Sequence, residues 1–228
     1  MNNLRGLFVG LSAAAALAGC AQGADSGNGA SEWGQIVNMV SDQVGGSKSD
    51  TVTLEQAAAV PYATIGIRVN DGPQLMLVLA ADEAGDHLWT SKARAAVTTR
   101  FGRVVRTSGL PFNIDGVNYN GEDPVQTAAR TGQMSESMRT ADFWDLNKFS
   151  VPVRCVTVPK GPEAVTILGK AINTVRVEQT CDSPSVEWSF TDTFWVGQSG
   201  LVWKSIQHYH PDGAPVEIEV LRPPVRIN

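Results

Sequence analysis

From Tyr62 onward the chain alternates. In "YATIGIRV" Ala63, Ile65, Ile67 and Val69 fall on one face and Tyr62, Thr64, Gly66 and Arg68 on the other, the period of a half-buried strand. "NDGP" after it is turn chemistry. Leu75 to Ala80, "LMLVLA", is apolar on both faces and predicts a central, buried strand. Further β-rich segments follow at 95–100, 103–107, 151–158, 164–168, 173–180, 186–196, 201–208 and 216–221. "GQSG" at 197–200 reads as a hairpin turn. Pro152 demotes the 151–158 segment to an edge strand or delays its start. Many short strands with turn signals between them predict a mainly-β fold: an antiparallel β-sandwich or distorted barrel with short N-terminal helices.

The helical period is confined to three places. Ser31 to Val44 places Trp33, Val37, Val40 and Val44 on one stripe, with Ser31 to cap it and Gly45-Gly46 to stop it. Thr53-Leu54-Glu55-Gln56 fits a capping box, and the helix it opens must end before Pro61. Residues 122–130 read as one more short helix.

The N-terminus has a different pattern. A polar head carrying Arg5 precedes about a dozen small or apolar residues, Gly6 to Leu17. That run is short of the roughly 20 residues a membrane span needs and matches a secretory signal. It ends in Leu17-Ala18-Gly19-Cys20, which resembles the lipobox of bacterial lipoproteins. By that resemblance Cys20 becomes the first residue of the mature chain and the site of lipid attachment, a palmitate-type anchor, because a thiol is the nucleophile that takes the diacylglyceryl group. Residues 21–30, "AQGADSGNGA", hold no apolar residue larger than Ala and read as a flexible spacer. In lipoproteins of enteric bacteria an Asp after the cysteine favours inner-membrane retention. Ala21 stands there, which points to the outer membrane. The expected organisation is a signal peptide at 1–19, a linker from the lipidated cysteine at 20–30, and a single β-rich domain at 31–228.

Charge and composition narrow the function. Subtracting Arg5 from 18 basic residues leaves 17 against 23 acidic, a net charge of −6. Bulk charge therefore argues against nucleic acid as a partner. Two cysteines remain after Cys20, Cys155 and Cys181. In an exported chain a leftover pair suggests a disulfide, with a catalytic thiol as the alternative. No G-x-S-x-G, H-E-x-x-H, G-x-x-x-x-G-K or paired C-x-x-C occurs. Of three histidines, His208 and His210 are two apart and would share a strand face as metal ligands; the plainer reading is histidines at the rim before the turn "PDGAP". Six tryptophans invite a sugar-stacking role for one or two of them, against a core role for most. Between Asp86 and Asp115 no acidic residue occurs, yet Lys92, Arg94, Arg100, Arg103 and Arg106 do. That segment is either a solvated hairpin face or a contact for an anionic polymer.

The same segment carries a family resemblance. "DHLWTSKARAAVTTRFGRVVRTSGLPFNI" at 86–114 resembles the YjbF/GfcB family, the group 4 capsule polysaccharide lipoproteins. The matching features are the apolar strand Leu75–Ala80, the Trp89-Thr90 step and the run from Gly102 to Leu110. "FWVGQSGLVWKSIQHYHPDGAPVEIEVLRPP" at 194–224 is similar to the family's closing hairpin and terminal strand. The resemblance implies an outer-membrane-anchored lipoprotein facing the periplasm, non-enzymatic and without a cofactor, that takes part in exopolysaccharide or capsule production or export. Its implied companions are a GfcC-like protein and an outer-membrane β-barrel; an acidic polysaccharide is the partner that the basic segment would add. Gly102 and Gly109 are read as structural, and no catalytic residue is carried over. A polysaccharide-modifying enzyme and a protein-only adaptor of the envelope are the alternatives.

Replacing Cys20 by Ser is expected to release the chain into the soluble fraction or leave it unprocessed, because each buried CH₂ of an anchor contributes about 0.8 kcal/mol and more than one chain is attached. Fractionation after radiolabelled palmitate feeding checks this. Label retained by Cys20→Ser would remove the lipobox reading.

Overall fold

The computed structural model describes residues 50–224. Cys20, the linker and the expected helix at 31–44 lie outside the described residues. Helix α1 (Leu54–Ala59) opens on the expected capping box: Thr53 Oγ1 accepts from the Gln56 backbone N–H at 3.2 Å, and the Thr53 N–H donates to Gln56 Oε1 at 2.8 Å. It ends at Val60, before Pro61.

Twelve strands form one antiparallel sheet: β1 (Thr64–Val69), β2 (Leu75–Glu83), β3 (Asp86–Thr90), β4 (Ala96–Arg100), β5 (Arg103–Ser108), β6 (Gly116–Tyr119), β7 (Ser135–Phe143), β8 (Lys148–Ile167), β9 (Lys170–Ser183), β10 (Trp188–Gly197), β11 (Val202–Gln207) and β12 (Val216–Arg222). The order β5-β4-β3-β2-β1-β12-β11-β10-β9-β8-β7-β6 is a continuous up-and-down meander whose last strand pairs with its first. Ile67 sits opposite Ile218 at that junction. The remaining seam lies between β5 and β6, where the Thr107 N–H donates to the Ile114 carbonyl at 2.9 Å, so the sheet is a nearly closed barrel. Helix α2 (Pro124–Thr131) lies between β6 and β7.

The ring is flattened, and the faces meet across it. Gln207 on β11 donates to the Gly102 carbonyl and accepts from the Val104 N–H, both at 2.9 Å, although β11 and β5 are far apart in strand order. Gly102, at the β4–β5 turn, has φ +77°, and a Cβ there would lie 2.5 Å from Val202. Both conformation and clearance therefore require glycine. The main core fills the space between the faces: Ile65, Ile67, Leu77, Trp89, Val97, Phe143, Val153, Trp188 and Phe190 are all buried. Cys155 and Cys181 face each other across β8 and β9 and are joined by a disulfide within this core, with Cα atoms 4.1 Å apart.

Several strands differ from their sequence reading. β2 is buried on one face only: Leu75 and Leu77 are inside, Met76 and Val78 half-exposed. β1 is the strand covered on both sides, because the Gln74 side chain lies over Gly66. The segments at 151–158 and 164–168 are one 20-residue strand with a bulge at Pro159–Gly161. Pro152 sits inside that strand rather than at a sheet edge. Its carbonyl points toward β9 and accepts from Ser183 Oγ, where the β8–β9 ladder has already stopped at Arg154–Asp182. In an antiparallel strand N–H and C=O point the same way, so the missing N–H costs no ladder bond. β7 has no counterpart in the sequence reading at all.

The outer face of β1, β12 and β11 carries ion pairs. Lys204 Nζ lies 2.8 Å from Glu217 and 2.9 Å from Glu219, and Arg68 lies 3.7 Å from Glu217. A lipid-facing band excludes such charges, so this wall faces water. No helix among the described residues is long and apolar enough to cross a membrane.

Tyr209 follows β11 and is buried in the core, and burial pushes its pKa up to about 12. An unfolded tyrosine titrates near 10. The folded value is the higher one, so the stability Tyr209 contributes is complete below pH 10 and is lost as pH rises through 12. Across that window the wild type is expected to lose roughly 2–3 kcal/mol more than Tyr209→Phe, at 1.36 kcal/mol per pKa unit. Urea melts at pH 9 and pH 12 check it; equal losses would contradict it.

Candidate functional site

The alternation of the strands sends polar side chains into the barrel as well as apolar ones. Arg103 on β5 is 1% exposed. Its Nη2 donates to Gln179 Oε1 on β9 at 2.6 Å, and its Nη1 lies 3.2 Å from Asp123. Its guanidinium lies 4.5 Å over the Tyr119 ring and 5.7 Å from that of Phe194. Burial acts to lower the Arg103 pKa, but Tyr119, Asp123 and Asp192 outweigh it and the value is raised. A second buried arginine, Arg139 on β7, approaches the same Tyr119 ring at 5.7 Å and donates to its hydroxyl at 2.9 Å. Asp192 on β10 lies 3.9 Å from Arg139 and accepts from the His208 N–H at 2.7 Å, with His208 Nδ1 3.2 Å away. Two cations thus face two carboxylates and share one aromatic ring, that of Tyr119, as buried charge requires.

Asp123 has a second task. It is the N-cap of α2, accepting from the Gln126 N–H at 2.9 Å, so the arginine network anchors that helix. Val125 and Ala128 of α2 pack with Val177, Phe194, Val196 and Val202. The helix therefore covers part of the barrel end that also carries the β2–β3, β4–β5 and β10–β11 turns. Beside it remains a cavity of about 560 Å³. Trp89, Ile65, Ile218 and Val220 line its interior; Trp203, Phe101, His87, Asp82 and Ser199 line its mouth. A groove of about 700 Å³ runs on the other side of the β10–β11 turn, between α2 and β9. Ser199 and Gly200 border both.

The basic segment is dispersed. Lys92 and Arg94 are exposed at the β3–β4 turn, on the rim opposite the cavity. Arg100 is paired with Asp86 through two bonds of 2.6 and 2.7 Å. Arg103 is enclosed, and Arg106 points outward and donates to the Asp115 carbonyl at 2.8 Å. The five do not form one surface, because neighbouring positions on a strand face opposite sides and the bulge at Thr98–Thr99 resets the register.

His208 and His210 share no metal site. They follow the end of β11 and diverge: His208 goes to Asp192, while His210 is fully buried, 3.0 Å from Asp145 and stacked on Phe112. The rim reading fails for His210, which is a core residue. Among the described residues no group of three or more His, Cys, Asp or Glu is placed to hold a metal ion. Trp89, Trp188 and Trp195 are buried, Trp203 is half-buried, and Trp144 is 71% exposed; Trp33 lies outside the described residues. The residues missed by sequence reasoning are Tyr119, Asp123, Arg139, Gln179 and Asp192. Asp192 had a signal: it shares its strand parity with Trp188, Phe190 and Phe194, so it had to be inside with a cation.

A nearly closed antiparallel barrel with a packed interior and one aromatic mouth is the class of domain that this geometry defines. The family model for the group 4 capsule polysaccharide lipoproteins (gfcB, YjbF) matches residues 37–221, and the chain belongs to that family. It is thereby an envelope-associated, capsule-related lipoprotein. It is 30% identical over 177 residues to the uncharacterized lipoprotein GfcB of Escherichia coli K12, covering 76% of this chain and 82% of that protein. It is 25% identical over 190 residues to the E. coli K12 lipoprotein YjbF, covering 82% and 88%. The crystal structure of the hypothetical lipoprotein YmcC of E. coli K12 superposes with a TM-score of 0.68 at 26% identity, covering 83% of this chain and 96% of that one.

Arg103→Met is expected to cost about 3–5 kcal/mol, because it leaves Asp123 buried without its cation. Asp123→Asn should cost less, since Asn keeps the α2 cap. Urea unfolding of both variants checks the ranking; an Arg103→Met protein within 1 kcal/mol of wild type, on the scale of an exposed pair, would refute the buried bolt.

Proposed function

We propose that this protein is a non-enzymatic lipoprotein, anchored in the outer membrane and facing the periplasm, that acts in the production or export of an exopolysaccharide or capsule. The family match over residues 37–221 carries the reading. The interior supports the non-enzymatic part. Its arginines and histidines are each paired with a carboxylate, Arg103 with Asp123, Arg139 and His208 with Asp192, and His210 with the more exposed Asp145. The Cys155–Cys181 disulfide leaves neither sulfur as a nucleophile. On this reading the partners are the exported polymer, a GfcC-like protein and an outer-membrane β-barrel.

One observation favours an adaptor role within the same machinery. At the β7–β8 turn Trp144 and the 51%-exposed Phe149 meet edge to face at 5.3 Å, on the rim opposite the cavity. Exposed paired aromatics suit a protein contact.

Deleting the gene in the producing bacterium is expected to lower surface-associated polysaccharide, with wild type but not Cys20→Ser restoring it. Quantifying uronic acid and total sugar in washed cells and in supernatant checks this. Unchanged surface polymer in the deletion strain would sink the proposal.

A further inference from the structure

Resting on the capsule-related reading, we infer that the cavity beside α2 and the groove beyond Ser199–Gly200 form one continuous binding site for a segment of glycan chain. Three observations converge on it.

The first is the aromatic mouth. Trp203 and Phe101 flank an opening whose other polar borders are Asp82, His87 and Ser199. Flat apolar faces beside hydrogen-bonding groups are what a sugar ring offers surfaces to: its C–H face packs on an aromatic ring and its hydroxyls bond sideways.

The second is the conformation of Phe101. It and Gly102 form the two-residue β4–β5 turn, with φ +51° and +77°. That turn type favours Asn or Asp at its first position, and a bulky side chain there is strained. Two other turns on this rim have the same plan, with Ala84-Gly85 and Leu168-Gly169. Ala84 is small, and Leu168 packs into the outer cluster with Trp195 and Ile172. Phe101 is 57% exposed and gains no such packing. Strain at an exposed aromatic that borders a cavity points to a ligand rather than to folding.

The third is the continuation. The groove sets the polar side chains of Gln126, Asn173, Gln198 and Ser199 among the apolar Ala129, Val175 and Val196, with Arg130 paired to Glu122 at its side. The Gln126 side-chain nitrogen is buried without a hydrogen-bond partner among the described residues. An acyl chain would leave the Gln126, Asn173 and Gln198 amides of the groove without hydrogen-bond partners. A polyhydroxylated chain uses both cavity and groove, one ring against the aromatics and the next among the amides. The local ionised groups nearly balance, so the site does not depend on an acidic sugar.

The test uses the full chain carrying Cys20→Ser, purified without detergent. The probes are oligosaccharides released by partial acid hydrolysis from the producing strain's own extracellular polysaccharide, with sodium palmitate as the acyl probe. Calorimetry and tryptophan fluorescence should show oligosaccharide binding. Phe101→Asn should leave the melting temperature unchanged or higher, because Asn suits the turn, and weaken binding at least tenfold. Asn173→Ala should weaken long oligosaccharides and spare the shortest. Palmitate binding that displaces the sugars would overturn the glycan assignment in favour of a lipid site. No oligosaccharide binding by the wild type, or equal binding by Phe101→Asn, would overturn the site itself. Either failure is separate from that of the export role, which the deletion strain reports.

Discussion

The pairing of β12 with β1 closes the sheet, and the rest of the molecule follows from it. Val69 lies opposite Val216 and Ile67 opposite Ile218, so the two ends of the described domain are held in one ladder. A ring of twelve strands encloses more space than a single layer of side chains fills. This one collapses across its width until β5 meets β9 and β11. The collapse puts a strand carrying arginine against the opposite wall, where water cannot reach it. The fold then has to supply carboxylates and aromatic faces, and it does so from β6, the start of α2 and β10.

That arrangement links the interior to the rim. Asp123 serves Arg103 with one oxygen and the first turn of α2 with the other. The helix's apolar residues seat on Val177, Phe194 and Val196. The groove lies between the helix and β9, and the cavity lies across the β10–β11 turn from it. The helical wall of the groove is thereby held by a buried ion pair, while the cavity is bordered by the β2–β3, β4–β5 and β10–β11 turns. Loops that carry function commonly rest on a rigid support of this kind.

How much of this was legible varied by segment. The capping box of α1 and the helix near 122–130 were readable because local chemistry decides them. Alternating strands such as β1 and β12 were readable because their period is strong. β7 was not: in "SESMRTADF" the inward positions include Arg139 beside Ala141 and Phe143, and an inward arginine erases the apolar alternation. β8 was read as two strands because Pro159 and Gly161 interrupt the pattern, while the bulge lets the ladder continue past them. The acid-free run at 87–114 was visible as charge, but its members scatter once a strand assigns them to opposite faces. The cavity had no sequence signal as a unit. Its lining comes from β1, β2, β3, β4, β11, β12 and the turns between them, and only ring closure gathers them.

The meander that closes on itself also sets an order of events in time. Every hairpin from β1 to β5 and from β6 to β12 is local and can form as soon as its two strands exist, within microseconds for a short one. The β1–β12 ladder joins the first strand made to the last. Until β12 arrives, β1 presents an unsatisfied edge with Ile65 and Ile67 uncovered, the kind of edge that pairs with other chains. Contacts of such long separation slow folding, because loop closure must precede any reward. The domain is thus exposed to self-association from the moment its first hairpin forms until its last strand docks.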